Sequence, residues 1–189
     1  MAELCMPIIN LKNLKIGRVC NMNYHNIDHC DMLNGSGIRV TLWVSGCSLH
    51  CKGCQNPQTW DFNSGIPFDE EAKTELFDAL DKTYIKGLTL TGGHPFEKQN
   101  RSAIYFLLKE IKEKFPSKDI WIYTGYKWED IENVREIQHI LCYTDVLVDG
   151  SYIEEQRDLT LQWRGSKNQR VIDVQKSLQQ GKIITLQND

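Results

Sequence analysis

Residues 38–56 read IRVTLWVSGCSLHCKGCQN. The first seven, Ile38 to Val44, form a short run of branched and aromatic residues, the composition of a β-strand. The rest brings Cys47, Cys51 and Cys54 into eight positions, and no fourth cysteine follows nearby. A strand that delivers three thiols to the loop at its C-terminal end decides the fold, because in parallel α/β architectures that edge is where loops converge on a site.

The same arrangement recurs along the chain. Gly87 to Thr91 (GLTLT), Asp119 to Thr124 (DIWIYT) and Thr144 to Asp149 (TDVLVD) also read as strands, followed by Gly92-Gly93-His94-Pro95, by Gly125-Tyr126 and by Gly150. Helical periods lie between them. Ala72, Leu76, Leu80 and Tyr84 mark one stripe, with Asp69 as N-cap and Glu70 and Glu71 in the first turn. Ile104, Leu107, Leu108, Ile111 and Phe115 mark a second, whose charged face (Lys109, Glu110, Lys112, Glu113, Lys114) reads as solvated. A third, weaker period runs from Trp128 to Leu141. Strands alternating with helices predict βαβ units in a parallel sheet or barrel, with four unusual loops sharing one mouth.

The 189 residues suit one domain. Their 22 Lys+Arg against 25 Asp+Glu, a formal charge of −3, leave no basic patch for nucleic acid. The apolar runs are too short to span a membrane. Seven cysteines (Cys5, Cys20, Cys30, Cys47, Cys51, Cys54, Cys142) are an odd and sparse set, which fits a reducing, cytoplasmic compartment better than a disulfide scaffold. In such a compartment a tight cysteine group holds metal or does redox chemistry.

Two metals compete for the loop. Zinc could take Cys47, Cys51, Cys54 and His50, but zinc sites usually join two separated ligand pairs, so this crowded loop makes an awkward tetrahedron. A cubane iron–sulfur cluster suits it better. With four cysteines such a cluster only moves electrons; with three, one iron stays open to a substrate, and the missing ligand becomes the functional feature.

Cys-x3-Cys-x2-Cys closely resembles the signature of the radical S-adenosylmethionine (SAM) superfamily. That resemblance implies an incomplete parallel β/α barrel and a [4Fe-4S] cluster on Cys47, Cys51 and Cys54 whose open iron is chelated by SAM. It implies reductive cleavage of SAM to a 5'-deoxyadenosyl radical. Gln55 to Asp61 (QNPQTWD) is similar to the Cys-x-Asn-x-x-Thr-Trp run of glycyl-radical-enzyme activases. Met22-Asn23-Tyr24, Asp31 to Gly37 (DMLNGSG), Trp121 to Tyr126 (WIYTGY), Leu147 to Gly150 (LVDG) and Trp163 to Gln169 (WRGSKNQ) resemble, in order, the activases of anaerobic, class III ribonucleotide reductases. The implied reaction is abstraction of a glycine Cα hydrogen from the reductase's catalytic subunit, with a flavodoxin or ferredoxin as electron donor. An activase of the pyruvate formate-lyase type is the alternative, and a zinc-binding adaptor a more distant one.

The resemblance further implies SAM contacts at Gly53, Cys54, Gln55 and Gly93, with Gly92 and His94 adjoining. Thr124, Tyr126 and Asp149 are expected to line the site, although Asp149 also reads as a turn residue and Tyr126 as a rim aromatic. His94 departs from the family's acidic residue after Gly-Gly. As neutral imidazole it could accept from the SAM amine, so that binding weakens below about pH 6.5; alternatively it faces solvent and only the backbone matters. Arg164 and Asn168 either orient the reductase loop or tie down the C-terminal segment. Trp43 and Trp60 are expected in the core. Arg170–Val174 and Lys182–Leu186 are expected to pair as a hairpin across Gln179-Gln180-Gly181, and residues 1–21 to form a poorly ordered extension before an activase domain over 22–189.

Overall fold

In the computed structural model, which describes residues 22–186, four parallel strands form the middle of one seven-stranded sheet. They are β2 (Arg39–Val44), β4 (Gly87–Gly92), β5 (Asp119–Tyr123) and β6 (Val146–Asp149), each within two residues of its expected bounds. Two further strands were not expected. β1 (Asn23–Asp31) pairs antiparallel with β2, and the two-residue β3 (Ile66–Pro67) pairs with β1. β7 (Arg170–Asp173) runs antiparallel to β6, giving the order β3-β1-β2-β4-β5-β6-β7.

The helices are α1 (Glu70–Leu80), α2 (Arg101–Lys114), α3 (Trp128–Ile131), α4 (Arg135–Leu141) and α5 (Val174–Gln180). Asp69 caps α1 as expected, accepting from the amides of Glu71 and Ala72. The helix stops at Leu80, so Tyr84 lies outside it, exposed. The third helical period is two helices, because the chain is extended at Val134. The expected C-terminal hairpin is corrected too: α5 fills the turn, ending at Gly181 in the left-handed conformation. The pairing itself forms beyond that helix, where Ile172 bridges Thr185 and the Asp173 amide donates to the Ile184 carbonyl at 2.8 Å.

Because successive parallel strands add in one direction and crossovers are right-handed, every helix falls on the same face of the sheet. Val40, Leu42, Val44, Leu88, Leu90, Ile120, Ile122 and Leu147 point to that face and pack with the buried residues of all five helices. The opposite face carries Thr41, Trp43, Thr89, Thr91, Trp121 and Tyr123. It has only a small cluster of its own, in which Trp163 meets the edge of Trp121 with ring centroids 5.0 Å apart. The loops at the C-terminal ends of β2, β4, β5 and β6 therefore open onto a face that none of the described helices covers. No helix among the described residues is long and apolar enough to cross a membrane.

Candidate functional site

The cysteine loop leaves β2 under backbone control. The Gly46 amide donates to the Thr59 carbonyl (2.8 Å) and the Cys47 amide to that of Trp60 (3.0 Å), so the chain between them closes into a loop that carries the thiols. A 3-10 turn, Pro57–Thr59, supports the return. The loop is drawn onto the next strand: the His94 amide donates to the Gly46 carbonyl at 2.7 Å and Gly93 to Val44 at 2.8 Å.

This contact explains Gly93. A Cβ there would sit 2.8 Å from the Gly46 carbonyl oxygen and 2.9 Å from that of Val44, both backbone atoms unable to yield. The glycine thus serves the approach of β4 to β2, in addition to any approach of a ligand. Gly93→Ala is expected to cost about 1–3 kcal/mol, the usual range for overpacking; thermal unfolding checks it.

A cleft of about 210 Å³ runs from this loop over the strand ends. Cys47, Cys51 and Cys54 line it, and all three are free thiols. Burial pushes the Cys47 thiol up, while the amides of Leu49 and His50 donate to its sulfur and oppose that shift; the Asn56 amide donates to Cys54 Sγ at 3.4 Å. Such N–H···S bonds stabilise thiolates and are a lever on cluster potential. Among the described residues no three His, Cys, Asp or Glu side chains converge as ligands of one metal ion. His50, the candidate fourth zinc ligand, instead stacks on Trp60 with centroids 4.6 Å apart. Three separate thiols on one wall fit a polynuclear cluster, one thiolate to an iron. Trp60 Nε1, a buried donor without a partner beside them, is consistent with a group that is to be bound.

Gln55, Gly92, Gly93, His94 and Thr124 line the same cleft. Three expected residues do not: Gly53, Tyr126 and Asp149. Gly53 lies behind it, φ +70°, where a Cβ would meet Glu154. Asp149 points to the other face, accepting from the Trp128 amide at 2.8 Å and pairing with Arg170; its neighbour Gly150 is what reaches the cleft. Trp43 and Trp60 are corrected from core to cleft wall. Tyr126 packs edge-on against His94 (4.2 Å). Arg164 donates to the Gln169 carbonyl and Asn168 to that of Ser151, which is the tying-down role.

His94 does not face solvent. It is 1% exposed, its Nε2 is 2.7 Å from Thr124 Oγ1 and its Nδ1 3.3 Å from Glu97 Oε1. Its acceptor nitrogen is therefore already bonded to Thr124 when Nδ1 carries the proton toward the carboxylate. Glu97 also accepts from the Ser48 amide (2.9 Å) and hydroxyl (2.6 Å). The hydrogen bond from His94, then those from Ser48, hold its carboxyl at about 2, against an ordinary 4.5. A carboxylate depressed in this way stabilises the fold above pH 4.5 and loses that contribution as pH falls through about 2. Glu97→Gln is expected to flatten the acid-unfolding profile between those two pH values; circular dichroism against pH measures it.

Some wall residues were not among the site residues expected from the sequence. Tyr152, Gly165 and Gln169 come from the segment after β6. Gln169 organises it, accepting from the amides of Gly165 and Ser166 and donating to the Gly150 carbonyl. Glu97, Gln169 and Tyr123 gain meaning only from where the fold buries them. Only the Trp-Arg-Gly-Ser-Lys-Asn-Gln run hinted at Gln169.

The comparisons with known proteins agree with this geometry. A family model described as a 4Fe-4S single cluster domain matches residues 33–172, most of the chain. The anaerobic ribonucleoside-triphosphate reductase-activating protein of Enterobacteria phage T4 is 47% identical over 150 residues, covering 79% of this chain and 93% of its own length. Those of Vibrio cholerae serotype O1 and Escherichia coli K12 are 45% and 43% identical, covering 78% and 79% of this chain and 96% and 97% of theirs. The family-model match takes in the cysteine loop and the four parallel strands β2, β4, β5 and β6. The chain belongs to the family of anaerobic ribonucleoside-triphosphate reductase-activating proteins.

Proposed function

We propose that this protein activates an anaerobic ribonucleotide reductase by installing a glycyl radical on its catalytic subunit, with a [4Fe-4S] cluster held by Cys47, Cys51 and Cys54. The observation that carries the reading is the meeting of three free thiols and the Gly92-Gly93 turn in one cleft at the C-terminal edge of the parallel strands. When bound, the reduced cluster supplies the electron that cleaves SAM to methionine and a 5'-deoxyadenosyl radical, which takes the glycine Cα hydrogen.

The chain's own residues position these partners. Three thiolates leave one iron for the amino and carboxylate groups of SAM. Cys54, Gln55, Gly92 and Gly93 contact SAM, and Gly53 supplies the bend that turns Cys54 and Gln55 into the cleft. His94 and Thr124 support the turn through their mutual hydrogen bond, and Asp149 acts through Gly150. Helices on one face and an uncovered opposite face support an incomplete β/α barrel, open on the side where a loop of the reductase enters. Such a substrate completes the wall and excludes water from the radical. Free thiols and a reducible cluster fit a reducing cytoplasm, and a flavodoxin or ferredoxin fits as electron donor.

The test is an anaerobic incubation of reconstituted protein, SAM and dithionite with the reductase whose glycines are Cα-deuterated. A glycyl radical signal in the electron paramagnetic resonance (EPR) spectrum, its Cα-hydrogen doublet collapsed by the remaining deuterium, with deuterium in 5'-deoxyadenosine, is expected. SAM cleavage without either would sink the assigned substrate.

A further inference from the structure

Glu97 has no feature that marks a site in sequence, yet the fold buries it to 8% exposure behind the cysteine loop. A single oxygen, Oε1, accepts from the Ser48 amide at 2.9 Å, from the Ser48 hydroxyl at 2.6 Å and from His94 Nδ1 at 3.3 Å. Ser48 follows Cys47 and His94 follows the Gly92-Gly93 turn. The far side of the His94 ring meets Thr124 Oγ1 at 2.7 Å, and that oxygen accepts from the Tyr126 amide. One carboxylate thus joins the loops that follow β2, β4 and β5.

It also brings charge. An ionised carboxylate with little access to water is screened weakly, and this one is hydrogen-bonded to Ser48, the residue next to Cys47. A cluster gains a negative charge on reduction, so a fixed anion beside it opposes that step and makes the reduced form a stronger donor. SAM cleavage needs a strong one-electron donor.

Resting on the cluster reading above, we propose that Glu97 is a positioning residue for radical generation. It fixes Cys47 against the Gly92-Gly93 turn and keeps a negative charge beside the cluster, which lowers the cluster's reduction potential.

The test compares wild type, Glu97→Gln, Glu97→Asp and Ser48→Ala, each reconstituted anaerobically and titrated with mediators while EPR follows the reduced cluster, with and without SAM. Glu97→Gln keeps an acceptor oxygen and removes only the charge. Its midpoint is expected to rise by about tenfold in the one-electron equilibrium, equivalent to about 59 mV, with less SAM cleaved per reduced cluster. Glu97→Asp restores the charge and is expected to bring the midpoint back. Ser48→Ala takes a donor from the carboxylate, leaves its charge less compensated, and is expected to move the midpoint the other way.

A wild-type midpoint in Glu97→Gln, or equal shifts in Glu97→Gln and Glu97→Asp, overturns the proposal, because a purely structural tie predicts one of those results. If Glu97→Gln assembles no cluster, Ser48→Ala decides: a positive shift or none overturns it. A wild-type cluster whose spectrum ignores SAM sinks the cluster reading itself. A wild-type cluster that responds to SAM, with an unmoved Glu97→Gln, sinks only the role of Glu97.

Discussion

Cys51→Ala is expected to yield a folded protein that retains no cubane cluster and leaves the reductase without a glycyl radical. The loop does not need its thiols to hold its path. The backbone bonds from Gly46 to Thr59, from Cys47 to Trp60 and from Cys54 to Cys51 use amides and carbonyls alone, so thermal unfolding of the apo form should match wild type. Among the described residues no replacement cysteine is at hand: Cys30 is exposed on β1 and Cys142 follows α4, neither in the cleft. Losing one of three ligands therefore exceeds the roughly 10–100-fold cost of losing an outer-shell partner. Iron and sulfide analysis after anaerobic reconstitution gives the answer, and wild-type iron content in Cys51→Ala would contradict the ligand assignment.

The largest effect on stability is expected at the other end of β2. Arg39 is fully buried, the bulkiest fully buried side chain of the described residues. Its Nε donates to Thr89 Oγ1 (2.8 Å), its terminal nitrogens to the carbonyls of Ser36 and Leu88, and it pairs with Asp119 at 2.6 Å while lying 5.2 Å from the Trp121 ring. Burial lowers the guanidinium pKa and the Asp119 charge resists that shift, so the group stays charged. It thereby pins the loop between β1 and β2 to β4 and β5, on the face opposite the described helices. Arg39→Leu removes every one of these bonds and strands the Asp119 carboxylate, which puts the cost at about 3–5 kcal/mol. For a chain of this size that is a fall of about 10 °C in Tm. Circular dichroism measures it; a change under about 1 kcal/mol would mean that water readily takes the guanidinium's place.

The parallel half of the fold was legible because each of its strands is a short, largely buried run rich in branched and aromatic residues that ends in glycine or a polar turn. β1 was not. Its residues include Asn23, His25, Asn26, Asp28 and His29, and only Tyr24 and Ile27 are buried along its length, so neither a run nor an alternation stands out. The break at Val134 escaped notice because Trp128, Ile131, Ile137 and Ile140 continue one helical period across it, all four buried. At the C-terminus, Gly181 was read as a hairpin turn when it ends α5. The cap at its other end, Asp173 accepting from the Lys176 amide, was the available signal.

The site divides in the same way. Three cysteines and a Gly-Gly turn announce themselves by spacing, since few other arrangements use them. Trp43 and Trp60 misled because large aromatics usually complete a core, whereas here none of the described helices covers the sheet's second face, and both line the cleft. His94 is the instructive case. Its identity suggested either a contact with the SAM amine or a side chain facing solvent, and the fold spends both ring nitrogens on Thr124 and Glu97. A lone glutamate three residues on from His94 gives no hint of this until the turn brings the two together.

The central claim is that three thiols hold a cluster with one iron left for SAM, and EPR of the anaerobically reconstituted, dithionite-reduced protein tests it most directly. The account predicts a reduced [4Fe-4S] signal that changes when SAM is added. A protein that binds zinc in place of iron, or a cluster signal identical with and without SAM, would contradict it.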